Sequence, residues 1–427
     1  MKKYLSVLIL FILFMAAVSF GTAKPTYQKK KKNITSITEP SGKGSLLTAV
    51  AVEFNRNIKS SSLSRDTFSI DGRTITAIYV NNKAEKRAET GVRNKNGKYV
   101  IIELSPDDTK AVLRIRGQRG DGFKMAEPDI SIVQKKNVIS TSGKKYLPED
   151  TLMKNNKVRE MIVEDFKQLV FEDSETGISL KYNLYIPKNY NKNKKYPLVL
   201  FMHDMGVLSD NTKSTLRQGN GATVWATPSE QKKHEAFVLA PQYNVQVVND
   251  NHEVTGDLEA TVNLINSLMK KYSIDENRLY TTGQSMGGMM SIVMNVRYPD
   301  LFAASYFVAS QWDENVVAPM AKNNIWITVS TGDTKAFPGM NAITDVLSKN
   351  GGKVAKASWL GNYTSEQFNQ GVKDVLAENA NINYTALEKG TIPGVLEDGR
   401  EHNSTWTVAY NIEGIRDWIF RQKKHRL

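Results

Sequence analysis

The run Gly283-Gln284-Ser285-Met286-Gly287 has the spacing Gly-x-Ser-x-Gly that an exposed nucleophilic hydroxyl requires. A serine that attacks a carbonyl must stand on a tight turn, with flanking glycines clearing room for the backbone. An alkyl hydroxyl is a poor nucleophile at neutral pH, so a base must accept its proton and a third group must orient that base. The chain has five histidines, at 203, 234, 252, 402 and 425, and only His402 and His425 follow Ser285. Where such a serine stands on a strand-turn-helix elbow, the order along the chain is nucleophile, acid, histidine. His425 lies in a basic tail, whereas His402 sits in Glu401-His402-Asn403-Ser404-Thr405-Trp406, read as a polar loop between the last strand and the last helix. His402 is therefore the expected base. Carboxylates between the two are numerous. Asp333 is preferred because Thr331-Gly332-Asp333-Thr334 follows the apolar run 325–330 directly, although a turn-forming or capping role would suit the same residue. Asp300 and Asp313 flank the preceding strand, Asp345 and Asp374 fall on expected helices, and Asp398 is close in sequence to His402.

Negative charge developing on the attacked oxygen needs backbone N–H donors. Met286 N–H, next to the nucleophile, is one candidate. The loop His203-Asp204-Met205-Gly206 should supply the other, from Asp204 or Met205. A carboxylate aimed at an oxyanion would oppose it, so the Asp204 side chain is expected to turn away and brace the loop. Trp225, Trp312 and Trp406 are candidate pocket walls, though large aromatics serve as often in cores. The histidines are too dispersed for a ligand cluster, so neither metal nor cofactor is expected.

These residues need elements to hold them. A lone Gly-x-Ser-x-Gly arises by chance in roughly one chain in ten of this size, but here it stands between a strand-like run, 278–282, and a helical pattern. Met286, Met289, Met290, Val293 and Val296 recur at helical spacing until Pro299. Further buried-type runs at 197–203, 236–242, 304–309, 325–330 and 382–387 alternate with amphipathic stretches. One helix face is Leu258, Val262, Ile265, Met269 and Tyr272, and another is Val408, Ile412, Ile415 and Ile419. Runs 166–171 and 178–186 look like an opening antiparallel pair. The pattern implies an α/β domain at 165–427, with a mostly parallel sheet covered on both faces. Residues 34–140 show short alternating strands with turn signals at Asp71-Gly72 and Asn96-Gly97, an all-β region of immunoglobulin-sandwich size. It holds no histidine, which argues against an active site within it. Residues 141–164 read as a polar connector.

Met1-Lys2-Lys3, the apolar run 4–20 and Gly21-Thr22-Ala23 have the order of a cleaved signal peptide at 1–23, followed by a lysine-rich leader at 24–33. The rival is an uncleaved anchor, since this almost unbroken apolar run of 17 residues approaches the spanning minimum. Export to periplasm, cell surface or medium is expected, with no integral membrane domain after cleavage. Cysteine is absent, which excludes disulfides, thiolate catalysis and cysteine-based metal sites. The net charge of +13 comes from scattered lysines without an aromatic-interleaved stripe, so nucleic acid is not an expected partner. An exposed β domain could mediate assembly into a homo-oligomer.

With these residues in hand the chain resembles secreted serine esterases of the α/β-hydrolase superfamily, in the polyhydroxybutyrate-depolymerase and feruloyl-esterase-like group. The branch with an N-terminal immunoglobulin-like domain is the nearer match. Six stretches carry the resemblance, at 196–204, 231–243, 278–288, 298–303, 332–339 and 402–406, within 165–427. The resemblance implies Ser285, Asp333 and His402 as a triad acting on an ester through an acyl-enzyme. This chain departs from many relatives in having His203-Asp204 rather than His-Gly, and Val329-Ser330 rather than His-Gly before the acid. Two other classes share the scaffold: a serine peptidase, and a surface binding protein that has abandoned catalysis.

Overall fold

The computed structural model describes residues 32–87, 94, 96–116, 123–394 and 400–424. The expected signal peptide, nearly all of the leader, Asp398 and His425 lie outside them. Among the described residues no helix is long and apolar enough to cross a membrane.

Nine strands form the large sheet, in the order 166–173, 178–185, 237–242, 196–202, 274–284, 304–308, 325–330, 382–387 and 354–359. The first two junctions are antiparallel and all the others parallel. Apolar strands such as Tyr196–Met202 are buried along their whole length because helices cover both faces. Helix Asp257–Lys271 shows how sequence fits one cover. It buries Leu258, Val262, Ile265 and Leu268, and places Asp257 and Glu259 in its first turn and Lys270 and Lys271 in its last, with its dipole. The strand ending at Gln284 is fifth of nine, so Ser285 stands at mid-sheet.

The N-terminal part is a sandwich. A five-stranded sheet in the order 157–160, 34–41, 44–59, 96–104 and 75–81 faces a three-stranded sheet of 149–154, 131–134 and 68–70. Val50, Val52, Phe54, Phe68, Ile102 and Ile132 fill the space between. The segment 141–164 is not a connector. It supplies Lys145–Tyr146, Glu149–Lys154 and Lys157–Glu160, the last pairing in parallel with Ile34–Ser41. Its strands are half-exposed and polar, so they lack the alternation that marks a buried face.

Sandwich and α/β portion pack as one compact body. Glu160 receives Lys213 Nζ at 2.8 Å and Arg217 Nε at 2.6 Å, and Arg114 Nη1 donates to Gln218 O at 3.4 Å. At Gly42 a β-carbon would lie 2.4 Å from Thr407 O, so the turn there is seated directly on helix Glu401–Ala409.

Candidate active site

Strand Ile274–Gln284 passes into helix Met286–Arg297 through Ser285, whose φ of 51° and ψ of −120° are strained for a residue with a side chain. Ser285 N–H holds Val308 O at 3.0 Å, tying the turn to the neighbouring strand. The glycines are needed for contact. A β-carbon on Gly287 would come within 1.9 Å of Met202 O, and one on Gly283 within 2.3 Å of Gly287 C. Gly287→Ala should therefore lower the unfolding midpoint by the equivalent of about 1–3 kcal/mol or more. A thermal melt matching wild type would contradict that close approach.

The structure brings Ser285, His402 and Asp333 together. His402 Nε2 lies 2.9 Å from Ser285 Oγ, and His402 Nδ1 lies 2.5 Å from Asp333 Oδ2. A carboxylate only accepts, so Nδ1–H donates to Asp333 and Nε2 is left as the acceptor facing the hydroxyl. The other oxygen, Asp333 Oδ1, accepts the N–H groups of Lys335 at 3.1 Å and Ala336 at 3.0 Å. Burial opposes the Asp333 charge, but the hydrogen bond and charge of His402 and these two amides outweigh it, holding the carboxyl below its ordinary value. His402 is not in a loop, as read from its polar neighbours. It is the second residue of helix Glu401–Ala409, with Trp406 one turn on and edge-on to its ring at 5.3 Å. The face expected as one helix breaks after Ala409 and resumes at Glu413.

At the loop after Tyr196–Met202, His203 is fully buried. Its Nδ1–H donates to Asp204 O at 2.8 Å, while Nε2 accepts from Tyr243 N at 2.9 Å. Fixing the Asp204 carbonyl fixes the peptide plane, so Met205 N–H points the opposite way. The Asp204 side chain does brace: Oδ1 accepts Gly206 N and Oδ2 accepts Gln284 Nε2, each at 2.9 Å. The second bond joins this loop to the residue preceding Ser285. Across the gap, helix Met286–Arg297 begins without a side-chain cap, so its leading N–H groups, Met286 first, are free of that partner.

Burial holds the His203 ring below its ordinary value, its hydrogen bonds notwithstanding. Unfolded, the ring titrates near pH 6.5. Stability linked to it is therefore complete above about pH 6.5 and declines as pH falls below, where the unfolded chain binds the extra proton. Urea midpoints should drop between pH 8 and pH 5, and His203→Asn should shallow that drop. An unchanged slope in the variant would count against it.

Of the tryptophans, Trp225 is core, fully buried with Nε1 on Gly221 O. Trp312 is nearly buried in the loop after Ala304–Val308 and meets the exposed ring of His252 at 5.1 Å. Beside it, Asp250 binds Gln311 Nε2 at 2.9 Å and Lys335 Nζ at 2.6 Å, placing a small polar rim near Asp333. A cavity of about 630 Å³ lies elsewhere, lined by Lys195, Pro197, His234 and Arg278 at the opposite ends of the strands. There Glu230, His234 and Asp417 bring potential ligand atoms within 4.8 Å of one another, a grouping hidden in the sequence by the 183-residue gap from His234 to Asp417. Glu230 is already paired with Arg416 at 3.0 Å and His234 with Asp417 at 2.8 Å.

Residues 33–147 match the esterase Ig-like N-terminal domain, and residues 174–337 match the putative esterase family. Acetylxylan esterase A of Aspergillus ficuum is 28% identical over 139 residues, 31% of this chain and 43% of that protein. The poly(3-hydroxybutyrate) depolymerase of Ralstonia pickettii is 28% identical over 213 residues, 46% of this chain and 42% of that protein. The chain thus spans less than half the length of these curated relatives. A crystal structure of a thermostable esterase matches with a TM-score of 0.78 and 28% identity, covering 92% of this chain and all of the other.

Proposed function

We propose that this chain, whose residues 33–147 match the esterase Ig-like N-terminal domain and residues 174–337 the putative esterase family, is an exported carboxylic-ester hydrolase working through Ser285, His402 and Asp333. The observation that carries this reading is the unbroken series Ser285 Oγ, His402, Asp333, with separations of 2.9 Å and 2.5 Å at the end of a mid-sheet strand. Export rests on the order of residues in 1–23.

In the proposed cycle Ser285 Oγ attacks the ester carbon while His402 Nε2 takes the hydroxyl proton. Asp333 keeps Nδ1 protonated and offsets the imidazolium charge. Met286 N–H and Met205 N–H receive the developing oxyanion; of the two loop amides expected, Met205 is favoured because His203 holds the preceding carbonyl away. His402 then delivers its proton to the leaving alcohol. Water repeats the sequence on the acyl-enzyme, releasing the acid and restoring the hydroxyl. The relatives named for acetylxylan and hydroxybutyrate polyester share an oxygen-ester bond, and that bond is the proposed target.

The test is covalent labelling. A fluorophosphonate should modify one residue, Ser285, as read by peptide mass spectrometry, and short-chain aryl esters should be hydrolysed while peptide amides are not. An unlabelled folded protein inactive on every ester would end this reading. Amide cleavage with weak ester turnover would transfer it to the peptidases.

A further inference from the structure

We propose that Glu401 is a positioning residue whose carboxylate clasps the start of the histidine helix to the turn that carries Asp333. The proposal rests on the Ser285–His402–Asp333 reading above. Glu401 is the first residue of helix Glu401–Ala409, immediately before His402, and is only 3% exposed. A carboxylate so buried is costly unless its oxygens are satisfied, and both are. Oε2 accepts Ser330 Oγ–H at 2.6 Å, and Oε1 accepts Gly390 N–H at 2.7 Å. Among the described residues no cation is paired with it. Its partners are a strand end and a loop, so the side chain ties two elements together.

The route from Glu401 to the acid is short. Ser330, the last residue of strand Ile325–Ser330, is fully buried, and its Oγ also accepts Gly332 N–H at 3.1 Å. Asp333 N–H closes the same turn on Ser330 O at 3.0 Å. One hydroxyl therefore joins the turn before Asp333 to the residue before His402. The packing agrees: a β-carbon on Gly332 would fall 2.6 Å from Glu401 Cγ. Helix and turn meet face to face here, and the clasp sets their separation. That separation fixes where His402 Nδ1 finds Asp333 Oδ2, and through the ring where Nε2 stands relative to Ser285. Reacting groups tolerate little displacement, since a shift of about 1 Å costs on the order of 100-fold in rate. Ser330 occupies one of the positions where this chain departs from the His-Gly of many relatives, so the clasp belongs to its own residues.

The experiment compares Glu401→Ala, Glu401→Gln, Ser330→Ala and the Ser330→Ala/Glu401→Ala pair with wild type, using the full chain and a soluble aryl acetate. Glu401→Ala should lower kcat by about 10- to 100-fold, with KM within about twofold, because the site for substrate is unaltered. Glu401→Gln should recover most of kcat, since its amide can still accept from Gly390 and donate to Ser330 Oγ. Adding Ser330→Ala to Glu401→Ala should cost nothing further, as expected of two parts of one link. Fluorophosphonate labelling rates should follow kcat. If Glu401→Ala fails to fold, Glu401→Gln and Ser330→Ala carry the test, and Ser330→Ala must then lose kcat at unchanged KM. Wild-type kcat in folded Glu401→Ala or Ser330→Ala, a loss confined to KM, or a Gln variant no better than Ala overturns the clasp. A wild type that is neither labelled nor active instead removes the serine mechanism and the clasp with it, a distinguishable result.

Discussion

Ser285→Ala is expected to lower kcat on an aryl acetate by about 10⁶-fold, leaving a residue of activity that would belong to the proposed oxyanion donors and substrate binding. In the proposed cycle, removing the hydroxyl removes the acyl-enzyme and leaves His402 without its proton donor. The informative measurement is the double variant. Ser285→Ala combined with His402→Ala should be no slower than Ser285→Ala, because the two groups act in one proton transfer. Additive losses would mean that the 2.9 Å contact between them is not used as proposed. The protein should remain folded throughout. Ser285 adopts φ 51°, a strain costing on the order of 1–3 kcal/mol that alanine inherits.

Asp333→Asn should lower kcat by about 10⁴-fold for a reason the hydrogen bonds make specific. Asp333 Oδ1 receives two backbone N–H groups, from Lys335 and Ala336. An asparagine must put its carbonyl oxygen there, which turns its NH2 toward His402 Nδ1. The ring then has to accept at Nδ1 and carry its proton on Nε2, the wrong tautomer for taking a proton from Ser285. KM should change little. The same substitution reports on stability. The folded carboxyl titrates below its unfolded value near pH 3.9, so its contribution is complete above that pH and is lost as pH falls through the depressed folded value. Asp333→Asn should flatten that acid-side loss in urea unfolding. Near-wild-type kcat in Asp333→Asn would show that another group orients the ring.

The serine turn was legible because its signal is local: five consecutive residues, a strand before and a helix after. Asp333 was a candidate from its place after an apolar run and His402 from elimination, and their two side chains do meet, at 2.5 Å. The helix around His402 was not, since Glu401, His402, Asn403 and Ser404 read as polar surface, whereas Glu401 is buried by a partner 71 residues away. Strand Val354–Trp359 escaped for a related reason. It is the sheet edge, and Lys356 and Ser358 interrupt its apolar pattern. The strands between 145 and 160 owe their form to pairing with residues up to 122 positions distant, and no spacing rule reports such pairs. The tie from Asp204 to Gln284 spans 80 residues and was foreseen only as a brace of unknown target.

The seating of Gly42 on Thr407 has an engineering consequence. The sandwich is not a cassette that can be swapped for another carrier. A grafted module would have to present a bare backbone turn to the outer side of the helix bearing His402, and an acid to Lys213 and Arg217. Fusions should accordingly be made ahead of Asn33, leaving the two halves in the company in which they fold.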